Sequence, residues 1–152
     1  MLRMSKLTDY AIVLLAHMAK DQTHLYTTVD ITAQTRISHP TASKLLKILS
    51  KSNLVESKRG THGGYRLHVS PETIALSQII EAVEGNISLT ECSGKLGQCT
   101  IENNCAIRRN WQLLSNHFRH TLDGITLADM TKPLQLPLLT KVLTTGTKHH
   151  DQ

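Results

Sequence analysis

The chain has 152 residues and a formal net charge of +5, room for one domain with a real core or for a small domain with an appendage. Aromatic residues are few, one Trp, three Tyr and one Phe, which argues against RNA-binding modules that stack bases on aromatic platforms. The apolar stretch 7–19 is interrupted by Asp9, Tyr10 and His17 and is too short to span a bilayer. With no signal peptide in view, a cytoplasmic protein with no membrane partner is expected. Three cysteines in that compartment do not make a disulfide framework.

In chain order, Ser5 can cap a first helix running to about Lys20, with Ala11, Leu14, Leu15 and Met18 at helical spacing on a buried face. Residues 21–27 read as a polar connection. A short second helix over 29–35 carries Ile31 as its inward anchor, and Arg36-Ile37 is a turn. Ser38 then has the chemistry of an N-cap, and Pro40 is tolerated in a first helical turn. The third helix runs to about Ser52 with Leu45, Leu46 and Leu49 inward and Ser43, Lys44, Lys47 and Lys51 outward. Residues 54–58 and 65–69 read as two strands around a turn at 59–64. Helix, helix, basic helix and β-hairpin in that order predict a winged helix-turn-helix.

A fourth helix is expected over 76–84, closed by Gly85. A cysteine-bearing loop follows over 90–105, then a long helix from about Ala106 to Leu122. In that helix Ile107, Trp111, Leu114, Phe118 and Leu122 draw one apolar stripe. Gly124 ends it, and Thr126 caps a last short turn over 127–130. The predicted fold is mainly α, a winged helix-turn-helix with a two-stranded wing plus a long dimerisation helix. Its parts are 1–72 for DNA binding, 73–132 for the cysteine loop and long helix, and 133–152 for a tail. Within the tail, 134–143 is leucine-rich and able to pack, and 144–152 is expected to be disordered.

Charge singles out the third helix and the hairpin. Between residues 36 and 68 there are seven cations, Arg36, Lys44, Lys47, Lys51, Lys58, Arg59 and Arg66, against one acid, Glu56. Ser38, His39, Thr41, Ser43 and Lys44 stand at the start of the helix, where short polar and cationic side chains reach base edges in a major groove. Lys47 and Lys51 are placed for phosphates. Arg59 at the hairpin tip suits a narrow minor groove. Gly60, Gly63 and Gly64 are expected to supply positive φ angles and a close approach to the duplex. The bland alternative is a solvated basic face. The expected partner is double-stranded DNA, with no small-molecule substrate and no catalysis, since no nucleophile–base set converges.

Cys92, Cys99 and Cys105 fall within one short loop containing Gly, Asn and Ser. Such a loop can fold back so that three thiolates converge, and thiolates suit soft metals and iron–sulfur clusters. Cys105 opens the long helix, whose N–H groups stabilise an anionic centre. Three unlinked thiols, a structural zinc site and a thiol redox switch are the competing readings; the loop lacks the paired Cys-x-x-Cys common at zinc.

Leu7-Thr8-Asp9-Tyr10-Ala11, the wing Arg59-Gly60-Thr61-His62-Gly63-Gly64-Tyr65-Arg66-Leu67 and the three-cysteine loop together resemble the Rrf-two-type regulators, which include the IscR and NsrR proteins. The resemblance covers residues 1–132. It looks closest to the branch regulating SUF-system iron–sulfur assembly, through Glu84-Gly85-Asn86-Ile87-Ser88-Leu89-Thr90-Glu91-Cys92, Asn110-Trp111 and Gly124-Ile125-Thr126-Leu127-Ala128-Asp129-Met130. It implies a cytoplasmic homodimeric repressor paired through Ile107, Trp111, Leu114, Phe118 and Leu122 and reading a pseudo-palindromic DNA operator. It implies a [2Fe–2S] or [4Fe–4S] cluster held by Cys92, Cys99 and Cys105. IscR-like members place a histidine three residues after the last cysteine; here Arg108 stands there and stays protonated. NsrR-like members use an aspartate of the opening motif, donated across the dimer, and Asp9 matches it. The alternative for Asp9 is an acid favourably placed in a first helical turn. The alternatives for the whole are a nitric-oxide-sensing repressor like NsrR and a zinc- or thiol-switched DNA-binding regulator.

Overall fold

The computed structural model describes residues 3–94, 99–100 and 104–133. The leucine-rich stretch 134–143 and the terminal residues 144–152 lie outside them, as do 95–98 and 101–103 of the cysteine loop. The elements run α1 (Lys6–Met18), α2 (Thr28–Thr35), α3 (His39–Lys51), β1 (Val55–Lys58), β2 (Gly64–Leu67), α4 (Leu76–Glu84), a 3₁₀ turn (Glu91–Ser93), α5 (Arg108–Asp123) and α6 (Leu127–Met130). This is the winged helix-turn-helix architecture expected from the sequence, with a two-stranded antiparallel wing.

Local chemistry sets most boundaries. Ser5 accepts the Thr8 N–H at 3.2 Å and starts α1. Thr27 and Asp30 form a reciprocal capping box on α2. Arg36 closes α2 in the left-handed region at φ 58°, and its N–H reaches the Thr32 carbonyl. Asn53 (φ 57°) follows α3 in the same conformation, which Asn tolerates better than most residues. Ser38 occupies the N-cap position of α3 but makes no capping bond; its hydroxyl pairs with that of Thr41 at 2.9 Å.

One core joins the two halves of the chain. Leu14, Leu15 and Met18 of α1, Ile31 of α2 and Leu45, Leu46 and Leu49 of α3 are fully buried together with Ile74, Ile79 and Leu127. Ile74 and Leu127 enter because the segments before α4 and α6 pair. The Leu127 N–H donates to the Ile74 carbonyl and the Leu76 N–H to the Ile125 carbonyl, both at 2.8 Å. The residues following α5 therefore complete the hydrophobic centre of the winged helix.

The wing pairs Val55 with Leu67, Glu56 with Arg66, Ser57 with Tyr65 and Lys58 with Gly64. The connection over 21–27 is more than polar linker. Tyr26 is buried and exchanges two backbone hydrogen bonds with Tyr65, at 2.9 and 2.8 Å. Of the three wing glycines only Gly60 has a positive φ, 116°. Gly63 and Gly64 are needed for space, since a Cβ at Gly63 would meet the Lys58 carbonyl oxygen at 2.3 Å and one at Gly64 the Tyr26 oxygen at 2.8 Å.

Candidate nucleic-acid interface and cysteine site

Burial of Ala42, Leu45, Leu46 and Leu49 fixes the roll of α3, so its opposite face is presented to solvent. Ser38, His39, Lys44, Lys47 and Lys51 are exposed there, and Thr41 and Ser43 are half-buried. His39 Nδ1 and Ser43 Oγ lie 3.4 Å apart, one turn from each other. Arg59, with His62, is exposed in the turn between the strands. Arg66 is directly opposite Glu56 in the sheet and pairs with it at 2.9 Å, and that guanidinium holds the Glu56 carboxyl below its ordinary range. The single acid of the region is thus matched to one arginine. Among the described residues, Lys44, Lys47, Lys51, Lys58 and Arg59 take part in no ion pair, leaving a cationic helix face and wing.

Helix α5 begins at Arg108, two residues later than the spacing suggests. Cys105 precedes its first turn, and the Arg108 N–H donates to the Cys105 carbonyl at 3.3 Å. Cys99 and Cys105 are free, half-buried thiols. The backbone of Cys92 lies in the 3₁₀ turn Glu91–Ser93. Asp9 is exposed in the first turn of α1. Among the described residues no three His, Cys, Asp or Glu side chains gather as a metal site, so Asp9 does not join Cys99 and Cys105 within one chain. Cys105 stands just before the N-terminal end of a 16-residue helix, and a thiolate there is the donor type that would suit an iron–sulfur cluster.

The apolar stripe of α5 divides. Leu122 is buried in the chain's own second cluster with Leu76 and Ile80, and Trp111 is half-buried. Ile107, Leu114 and Phe118 remain 57%, 53% and 37% exposed, and Leu113 is 60% exposed. The face α5 turns inward centres on Ser115 and Leu122. Besides the apolar contact of Leu122, two polar side-chain contacts among the described residues tie α5 to α4. Ser77 Oγ donates to Asp123 at 2.5 Å, and Arg119 pairs with Glu81 at 3.0 Å. At the far end of α4, Glu84 accepts from the Ser5 N–H at 3.0 Å and from the Thr8 hydroxyl, one residue from Asp9. The Thr8 bond, more than any other influence, holds the Glu84 carboxyl below its ordinary range.

Sequence reasoning missed Tyr26, Ser115 and the Thr8–Glu84 contact. The Thr27-x-x-Asp30 capping signature was a readable sign that α2 starts at Thr28, whereas the tertiary pairings carry no local signature.

The sequence profile of the Rrf2 family, described as an iron-dependent transcriptional regulator, matches residues 4–133. The chain belongs to the Rrf2 family. Among Rrf2 relatives, the HTH-type transcriptional regulator IscR of Aliivibrio salmonicida is 38% identical over 101 residues, covering 66% of this chain and 60% of that protein. The chain thus spans about 60% of the length of such IscR relatives. The HTH-type transcriptional regulator NsrR of Geobacillus kaustophilus is 33% identical over 131 residues, covering 85% of this chain and 89% of that protein. Among solved structures, CymR, the global cysteine regulator of B. subtilis, superposes with a TM-score of 0.67 at 28% identity, covering 86% of this chain and 97% of that one. These Rrf2 relatives are transcriptional regulators rather than enzymes. Among the described residues no helix is long and apolar enough to cross a membrane.

Proposed function

We propose that this chain is a homodimeric repressor that binds a DNA operator and reports iron–sulfur cluster status, controlling iron–sulfur (SUF) assembly genes. Cys92, Cys99 and Cys105 would hold the cluster, with Asp9 of the partner subunit as the fourth ligand. When bound, a cluster supplies a centre sensitive to oxidants and nitric oxide. The remaining parts are protein chemistry. Ser38, His39, Thr41, Ser43 and Lys44 read base edges, Lys47 and Lys51 hold phosphates, and Arg59 enters the minor groove.

The observation that carries this reading is that one helix serves both ends of it. Cys105 precedes the first turn of α5, and the same helix leaves Ile107, Leu113, Leu114 and Phe118 uncovered. An apolar face of this kind calls for a partner, and a second copy of α5 supplies one by symmetry. A change at the cysteines then acts where two protomers meet. A dimer binds tightly only if both α3 helices fit major grooves about 34 Å apart, so a small change at that junction alters operator affinity.

The test is anaerobic purification with iron, sulfide and zinc quantification, followed by operator titration. Iron and sulfide bound by wild type and lost in Cys99→Ala are expected. Colourless, iron-poor protein would overturn the cluster assignment, and zinc in its place or thiol-dependent binding would select a zinc- or thiol-switched regulator. A natural operator preceding nitric-oxide detoxification genes would replace the assembly role with a nitric-oxide-sensing one.

A further inference from the structure

Ser115 is one of the few fully buried polar side chains among the described residues, 2% exposed in the middle of α5. A helical serine ordinarily bonds back to the carbonyl one turn earlier, as Thr121 does to His117 at 3.0 Å in the same helix. Ser115 is instead directed at another segment. Its Oγ accepts the Leu89 N–H at 3.0 Å and donates to Ser93 Oγ at 2.9 Å. Ser93 Oγ in turn donates to the Thr90 carbonyl at 2.8 Å and accepts the Thr90 N–H at 3.1 Å. The 3₁₀ turn is further closed by the Ser93 N–H on the Thr90 carbonyl at 3.1 Å. Segment 89–93 is therefore fastened at both ends to one hydroxyl, and Cys92 lies inside it.

We propose that Ser115 is a positioning residue that fixes the Cys92 turn on α5, so that this cysteine and Cys105 are presented from the same helix before any metal arrives. The inference rests on the reading of Cys92 as a ligand. The physical case is one of polar accounting. A buried hydroxyl without partners is costly, and among the described residues this one is satisfied through the loop, so departure of the loop from α5 breaks both bonds and leaves the Leu89 N–H to find another acceptor. Cys105 is attached to α5 by the chain itself, three residues before its first residue. A segment held at both ends confines the backbone at Cys92 before binding and lowers the ordering cost of closing a site. It also passes displacement of the Cys92 turn into α5 instead of letting the loop absorb it.

The experiment compares full-length wild type, Ser115→Ala and Ser93→Ala. Ser93 is cut from the loop side, which leaves the buried face of α5 intact should Ser115→Ala fold poorly. Anaerobic protein is treated with a chelator, and alkylation of each cysteine is timed by peptide mass spectrometry alongside hydrogen exchange at the Leu89 amide. Both variants are expected to raise the alkylation rate of Cys92 about tenfold, the scale of one lost buried hydrogen bond, and to speed Leu89 exchange. Cys105 should keep its wild-type rate, which a general loosening of the protein would not allow. The double variant should add nothing further, since both changes break one network. Loss of iron to the chelator should be faster in both variants. Cys92 reacting at the wild-type rate in both, or all cysteines accelerating together, would overturn the proposal. Iron-poor wild type with the Cys92 contrast intact would overturn the ligand reading and leave the fastening standing; iron-loaded wild type without the contrast would do the reverse.

Discussion

Leu127→Ala tests whether the far end of the chain is structural to the winged helix. Leu127 is fully buried in the cluster that contains Leu14, Leu45 and Ile31, although it lies in a four-residue helix more than seventy residues downstream of α3. The substitution deletes three carbons from that cluster. At about 0.8 kcal/mol per buried methylene the transfer loss is about 2.4 kcal/mol. The unfilled cavity adds to this, and leucine-to-alanine changes in well-packed cores reach roughly 3–5 kcal/mol. Helix α6 is short enough to settle inward, so about 3 kcal/mol is expected, a large share of the roughly 5–15 kcal/mol that holds a typical domain together. Urea denaturation followed by far-UV circular dichroism, at one fixed protomer concentration, should show a lower midpoint with an unchanged slope. Val29→Ala, at a side chain 65% exposed, is the control and should stay within about 0.5 kcal/mol. A loss below about 1 kcal/mol for Leu127→Ala would mean that α6 does not seal this core.

Two further outcomes follow from the geometry. Gly63→Ala places a Cβ against the carbonyl oxygens of Lys58 and Gly60, at 2.3 and 2.9 Å; backbone atoms cannot swing aside, so the wing tip must rebuild at about 1–3 kcal/mol. Fluorescence anisotropy should show weakened operator binding with the helical circular dichroism retained, and unchanged affinity would remove the wing from the interface. Thr8→Val removes the hydroxyl that bonds Glu84 and should cost about 1 kcal/mol at neutral pH. Because Glu84 has its carboxyl lowered in the folded protein, the stability it contributes is complete above its unfolded value and is lost as pH falls through the folded one. The gap between wild type and Thr8→Val should therefore close on acidification below the ordinary glutamate range, and a gap that persisted there would assign the cost to packing.

Elements framed by local chemistry were readable from sequence. Helix α4 spans Leu76–Glu84 as the Gly85 terminator indicates, and Thr126 caps α6 through a reciprocal bond with Asp129. The inward and outward faces of α3 follow from the spacing of Leu45, Leu46 and Leu49. What remained hidden depends on partners remote in the chain. Tyr26 looks like linker until Tyr65 lies beside it. Ser115 breaks an apolar pattern, and only the approach of Leu89 and Ser93 explains it. Gly63 and Gly64 read as positive-φ positions at a close approach to the duplex, whereas neither has a positive φ and crowding by neighbouring backbone is what requires them. At the cysteines, spacing singled out candidate donors, while the fastening of the turn around Cys92 to α5 depends on tertiary contacts of Leu89 and Ser93.

The paired backbone rungs between Tyr26 and Tyr65 bear on how such a protein can be controlled. They lash the hairpin to the segment leading into α2, which itself packs on α3, so the hairpin is no free flap that folds down on arrival. Helix α3 and the hairpin are thereby joined through one packed unit. Under the proposed function, a signal would therefore re-aim helix and hairpin together instead of changing the distance between them.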